Sequence, residues 1–342
     1  MSEDGGRVFL RGITSEHYGL SEFRRRQRAA PRVRRAGTVV DDAKVGHSGD
    51  SEQSRTWWVL GPGDDPFLTQ TIQAHFVELQ PGGSNRGHGH QNEAPFYILE
   101  GKGYEIHDGQ RYDWSTDDLV LVHTDSVHRH YNPYDERALA LVLKAKCAWM
   151  YLGLIQQGRS GPVADEDAFG PRTDWSQLWS DGVQQRKKVV KPADTVWEQT
   201  PLGRVRVISS PGRTDVRNHS VDVMELEIPA GGRSGRRWHM ADEVLYVRSG
   251  SGYSLHWEVQ AEIADRYHAR IAKQPTRHEI KPGDTLYVPQ NTVAQHFATG
   301  GAPLRLLSAQ NRLFKLLGYD KVVYLEEAPT DGVQAEAVQV AP

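Results

Sequence analysis

The chain repeats itself, and this constrains its fold more than any other feature. The stretch "ELQPGG" at 78–83 recurs as "ELEIPAGG" at 225–232. With the two Gly pairs aligned, His90 falls on His239, Tyr97 on Tyr246, Gly101 on Gly250 and Gly103 on Gly252. Further on, "DDLVLVHTDSVHRH" (117–130) matches "GDTLYVPQNTVAQH" (283–296), after a longer insertion in the second copy. The period is far too long for a solenoid or propeller, so the repeated unit is a whole domain. Within the first copy, short runs such as "TIQAHFVEL", "FYILEG", "GYEIHDG", "DLVLVH" and "ALALVLKAK" are separated by Gly, Asp and Asn turns. That punctuation predicts antiparallel strands closed into a sandwich or barrel. The expectation is an all-β chain with a short N-terminal arm over 1–55, a first barrel over 56–160 and a connector over 161–204. A second barrel over 205–320 and a flexible tail over 321–342 complete it. The 342 residues suffice for two such cores.

Composition narrows the function classes. A net charge of −3 gives no global reason to expect a nucleic-acid or membrane partner. The local exception is "RRRQRAAPRVRR", seven arginines between Arg24 and Arg35. It reads either as an anion-binding arm or, the preferred reading, as a solvated arm that wraps a neighbouring subunit. Cys147 is the only cysteine, which excludes an internal disulfide and any multi-cysteine zinc site. No apolar stretch approaches a membrane span and the start "MSEDGGRVFLRG" is no signal peptide, so a reducing cytoplasm is the expected location.

The chemistry concentrates in "RGHGHQNEAPFYILEGKGYEI" at 86–106. Side chains alternate along a strand, so His88 and His90 point to one face, where they can share a metal or stand idle. His128 and His130 form a second such pair, and His130 could be a fourth metal ligand, a satisfied core histidine or an acid–base group. Glu93, three past His90, falls on the opposite face and ranks below the histidines as a ligand. His75, His107 and His123 read as surface or structural histidines.

The spacing "PGGSNRGHGH…FYILEGKG" followed by "DDLVLVHTDSVHRHYN" resembles the two motifs of the cupin superfamily, and the duplicated chain resembles a bicupin: two tandem double-stranded β-helix (jelly-roll) barrels. The resemblance implies a metal held by His88, His90 and His128. The second-motif asparagine falls at Asn132, whereas the usual Pro and Gly of that motif are His123 and Asp125. The glutamate ligand of the common pattern is absent, since Ala94 occupies its place. In this the chain is most similar to the gentisate and salicylate 1,2-dioxygenases, which use a three-histidine Fe(II) site. The resemblance then implies one Fe(II) in the first barrel, a small aromatic substrate and O2 as partners, and His130 as an acid–base group beside the substrate hydroxyl. Bicupins are commonly oligomeric, so a homo-oligomer is expected.

Physical chemistry is compatible with this. Imidazoles suit Fe, Cu, Zn and Ni, and three of them on one side leave coordination positions open. Without a carboxylate ligand the centre is one unit more positive, which favours an anionic substrate bound through two adjacent oxygens. Two other classes compete: a metal-dependent decarboxylase or isomerase on the same barrel, and a non-catalytic bicupin that binds a small ligand. The latter has no need of three aligned histidines.

Substrate-facing positions depart from the group. The arginine that pairs with the substrate carboxylate is replaced by Phe96, and the Trp and Gln upstream of the HxH pair fall on Gln73 and Val77. An apolar or aromatic part of the substrate is expected against Phe96, with Arg86 able to approach a carboxylate from another direction. In the second barrel His88 becomes Arg237 and His128 becomes Ala294. His239, Glu243 and His296 remain, and a vacated site kept for scaffold or packing is the expectation there.

Overall fold

Each of the four residues Leu119–Val122 is buried, although a strand in a one-sided sheet would alternate. The reason is that both faces of its sheet are covered. Val120 and Val122 point into a barrel with Val77, Phe96, Ile98, Ala140 and Val142. Leu119 and Leu121 point the other way and pack with Leu141 and Leu143 against Val221, Val223, Tyr287, Leu307 and Ala309 of the second half. The apolar runs are therefore apolar on both faces for two reasons: one face fills a barrel and the other joins two barrels.

The computed structural model describes residues 21–37, 51–61, 69, 71–159 and 161–329, and it is almost wholly antiparallel β-structure. The first half pairs a six-stranded sheet, in the order 189–190, 119–122, 94–100, 138–144, 73–79 and 54–60, with a five-stranded sheet, in the order 157–158, 88–90, 126–131, 102–107 and 110–115. The second half repeats this with a seven-stranded sheet and a six-stranded sheet around a separate apolar cluster that includes Leu226, Leu245, Val247, Leu286 and Leu306. The halves are in the same register: His88 faces His128 across the strand pair in one, and Arg237 faces Ala294 in the other. Gly101 and Gly250 occupy the same tight turn with φ of 83° and 73°. An added Cβ would lie 2.5 and 2.3 Å from the carbonyl oxygens of Arg137 and Pro303, so only glycine fits at either position.

The structure corrects the expectation for the arm. A helix over Ser21–Ala29 and a strand over Val33–Arg34 lie on the chain's own second barrel, where the strand pairs with Thr285–Leu286. Arg28 and Arg32 meet Glu258 at 2.6 and 3.3 Å, and Arg35 meets Asp284 at 2.6 Å. Arg34 Nε donates to the Val59 carbonyl of the first barrel at 2.8 Å. Arg28, Arg32 and Arg35 thus pair with acidic groups distant in sequence, and the strand caps a sheet edge that would otherwise be unpaired. The chain's start, on which the signal-peptide reading rests, lies outside the described residues.

At the other end, the expected flexible tail opens with a strand, Val323–Glu326, paired to Arg236–Trp238. Residues beyond 329 lie outside the described residues. Among the described residues no helix is long and apolar enough to cross a membrane.

Candidate metal centre

Strand alternation puts His88, His90, His128 and His130 on the inner face of the five-stranded sheet, all buried, while Val127 and Arg129, which flank His128, face outward. Pairing of 88–90 with 126–131 brings His88 opposite His128. One nitrogen each of His88, His90 and His128 lies within 4.8 Å of the others, a group that could hold a metal ion. The ring centroids are 4.5 to 5.5 Å apart.

Two of these rings are already oriented. His88 Nδ1 is 3.0 Å from the Arg86 carbonyl and His90 Nδ1 is 2.6 Å from that of Asn92. A carbonyl only accepts, so each Nδ1 carries the proton and each Nε2 keeps its lone pair. This is the outer-shell arrangement that prepares an imidazole for a metal. Burial pushes the pKa of His88 down and those of His90 and His128 well down, aided by the neighbouring cations and histidines. Neutral, convergent imidazoles are what a transition metal requires.

His130 faces the barrel interior, its ring 4.5 Å from that of Phe96 and 5.3 Å from that of His128. Phe96 and Val77 line an apolar cavity with Leu79, Ile98, Trp114 and His130. Gln73 is buried on the same strand face as Val77, opposite Lys144. The structure therefore gathers Phe96, Val77, Gln73 and His130 inside the barrel. Arg86 is not among them: its side chain is exposed and its carbonyl holds His88. The Glu93 carboxylate is also turned away, accepting the backbone N–H groups of His219 and Ser220 at 2.7 to 2.9 Å. Asn132 is structural, its side-chain amide donating to the carbonyls of Gln80 and Glu136 at 3.1 and 2.7 Å. Asp125, which stands where the family motif has glycine, adopts φ of 53°, as does Asn291 of the second barrel with 55°. Asp and Asn tolerate that region better than most residues.

Sequence reasoning missed two interior groups. Lys144 is only 4% exposed, and burial, with Lys146 nearby, pushes its pKa down to about 7. Period-two counting from Ala138 would have placed it inward with Ala140 and Val142. Glu105 is fully buried between His107 Nδ1 at 3.2 Å and His130 Nδ1 at 3.5 Å, and burial pushes it up to about 8. His75, His107 and His123, read as surface or structural, are all buried.

The second barrel holds an ion pair where the first gathers its histidines. Arg237, which replaces His88, donates from Nη2 to both carboxylate oxygens of Glu243 at 2.6 and 2.7 Å, with both residues buried. Ser308 also donates to Glu243, and His239 Nε2 lies 3.5 Å away. Burial opposes the charge on Glu243, but Arg237 and the histidines prevail and hold its pKa far below the usual carboxylate range. His296 is taken up by the Ser254 hydroxyl at 2.9 Å. A guanidinium thus neutralises the carboxylate that remains.

Comparison with known proteins agrees with this architecture. Residues 75–144 match the cupin domain family. No curated protein sequence matches the chain. The fold is similar to that of salicylate 1,2-dioxygenase from Pseudaminobacter salicylatoxidans, with 14% identity, a TM-score of 0.62 and coverage of 86% of this chain and 88% of that one. The same enzyme's adduct with gentisate gives 13% identity, a TM-score of 0.62 and 90% coverage of both chains. A variant of oxalate decarboxylase from B. subtilis gives 15% identity, a TM-score of 0.56 and coverage of 86% and 80%. Residues 75–144 thus match the cupin domain family, and the chain as a whole has the two-barrel fold of these salicylate dioxygenase and oxalate decarboxylase structures.

Proposed function

We propose that the chain is a mononuclear Fe(II)-dependent dioxygenase that cleaves the ring of a hydroxylated aromatic compound, with His88, His90 and His128 as the metal ligands. The observation that carries this reading is the convergence of three buried imidazoles, two with their Nδ1 protons held by carbonyls, on the barrel face they share with His130, which itself lines an apolar cavity. Bound iron would supply a redox-active Lewis acid for O2 and for two adjacent substrate oxygens. The protein's own residues do the rest. Phe96 and Val77 give the substrate ring an apolar wall, and Phe96 replaces a cation that a ring carboxylate would need. His130 stands beside that wall and can take a proton from a substrate hydroxyl through its neutral ring. Lys144, near enough to His88 and His90 to disfavour their protonation, and Gln73 opposite it add polar groups beside the ligands, where an anionic substrate oxygen would be neutralised. Plain gentisate is therefore not the preferred substrate on this reading. The proposed setting is cytoplasmic, and the proposed assembly is a homo-oligomer.

The test is anaerobic purification, metal analysis, and a screen of hydroquinones, catechols and hydroxybenzoates for O2 uptake. One equivalent of iron lost in His128→Ala, together with substrate-dependent O2 consumption, is the expected result. Substrate turnover without O2 would replace this reading with a decarboxylase or isomerase. Full iron occupancy in His128→Ala would remove the ligand assignment.

A further inference from the structure

A second group of ligating atoms lies at the rim of the first barrel, outside the triad. His107 ends the strand Lys102–His107, Asp108 begins the hairpin turn that follows, and His123 succeeds the strand Leu119–Val122. Like the triad, one atom from each of these residues lies within 4.8 Å of the others. Both histidines are 1% exposed, and neither Nε2 has a hydrogen-bond partner.

The hydrogen bonds around this group specify where the lone pairs point. His123 Nδ1 is 2.7 Å from the Thr124 carbonyl, which can only accept, so the proton of the neutral ring is on Nδ1. Its Nε2 then presents a lone pair to Asp108 Oδ2 at 3.3 Å. His107 Nε2 approaches the same oxygen at 3.5 Å, while its Nδ1 is engaged by the buried Glu105 carboxyl at 3.2 Å. Asp108 is itself held: its Oδ1 accepts the Val127 N–H at 3.0 Å and its own N–H donates to the Val127 carbonyl at 2.9 Å. Two buried imidazole nitrogens thus face one oxygen of a partly exposed carboxylate, an arrangement that a shared cation would satisfy.

Two of their spacings match one kind of cation. Tetrahedral Zn2+ with ligands at 2.0–2.2 Å sets ligand atoms about 3.3–3.6 Å apart, the edge of the tetrahedron. The two separations to Asp108 Oδ2 fall in that range. The outer shell, a carboxyl on one imidazole and a carbonyl on the other, is also that of a metal-bound pair.

We propose that His107, Asp108 and His123 form a second divalent-metal site of tetrahedral, zinc-like geometry, separate from the triad. His107 and Asp108 line a cleft that also carries Tyr112, Trp179, Lys188 and Arg217. The fourth coordination position opens on this cleft, and its two cations favour an anionic fourth ligand such as a carboxylate. Glu105 connects the two sites, because its other oxygen is 3.5 Å from His130 Nδ1. The second site goes beyond the proposed dioxygenase reading and does not depend on it.

The experiment uses the full chain, stripped with a chelator, equilibrated with excess Zn2+ and freed of unbound metal before zinc and protein are quantified. Two equivalents are expected for the unmodified protein, one for His123→Ala, one for Asp108→Asn, one for His128→Ala and none for the double variant His123→Ala/His128→Ala. Asn at 108 keeps a carbonyl for the Val127 N–H, so it guards against loss of fold. Co2+ bound to His128→Ala should show the intense visible bands of tetrahedral cobalt, and these should vanish on adding His123→Ala. One equivalent in the unmodified protein that His123→Ala leaves in place, or two retained in both His123→Ala and Asp108→Asn, overturns the second site. One equivalent in the unmodified protein that survives His128→Ala but is lost in His123→Ala overturns the triad instead and leaves this site standing.

Discussion

Replacing Arg237 by Leu tests whether its guanidinium is what compensates the buried Glu243 carboxylate of the second barrel. Arg237 is 3% and Glu243 0% exposed, and one nitrogen serves both carboxylate oxygens. Arg237→Leu leaves Glu243 with only the Ser308 hydroxyl and His239 beside it. Removing one partner of a buried pair costs about 3–5 kcal/mol, because the remaining charge is desolvated and uncompensated. At about 2–4 °C per kcal/mol for a domain of 150–250 residues, the melting temperature should fall by roughly 6–20 °C. Arg237→Leu/Glu243→Leu should recover most of that loss, since apolar residues of similar volume replace a buried pair at little cost. The pH dependence has a definite sign. In the unmodified protein the Glu243 pKa is depressed, so its stabilisation is present above the unfolded carboxyl value of about 4.3 and is lost as pH falls below it. In Arg237→Leu, burial instead raises that pKa, so stability should improve as pH falls from 8 towards 5 and the gap to the unmodified protein should narrow. Calorimetric melts at both pH values measure this. A single variant that loses less than about 1 kcal/mol, or a double variant no better than the single one, refutes the reasoning.

Three further outcomes are expected. His130→Ala should keep its iron while kcat falls by roughly 10²-fold or more, as for loss of a general base; iron lost along with rate would make His130 a ligand. Phe96→Arg should shift preference towards ring carboxylates, and turnover of gentisate by the unmodified protein with kcat/KM above about 10⁴ M⁻¹s⁻¹ would contradict the role given to Phe96. Leu141→Ala opens a cavity in the surface joining the barrels, where Leu141 is fully buried. It should destabilise the protein by about 2–5 kcal/mol in a denaturant titration, and an unchanged midpoint would show that the barrels do not depend on that contact.

The division between what sequence and tertiary structure decide follows from the range of the forces involved. The repeat, the strands and the inward aim of His88, His90, His128 and His130 are local: a two-residue period and a turn chemistry suffice to read them. The match of Arg237 to His88 and of Ala294 to His128 was legible for the same reason, since a register once established propagates along the strand. Lys144 and Glu105 carried the same signal. Their burial was not legible, because a charged residue reads as exposed until the surrounding walls are known. Only the tertiary structure decided that the arginine-rich arm would meet Glu258 and Asp284 of its own chain, more than two hundred residues away in sequence. It alone paired Arg237 with Glu243 rather than leaving either for a metal, and it brought His123 from one strand end to the Asp108 turn of another. Those outcomes depend on distances between elements that no local period encodes, in an interior where a few ångströms decide whether a charge is neutralised or left bare.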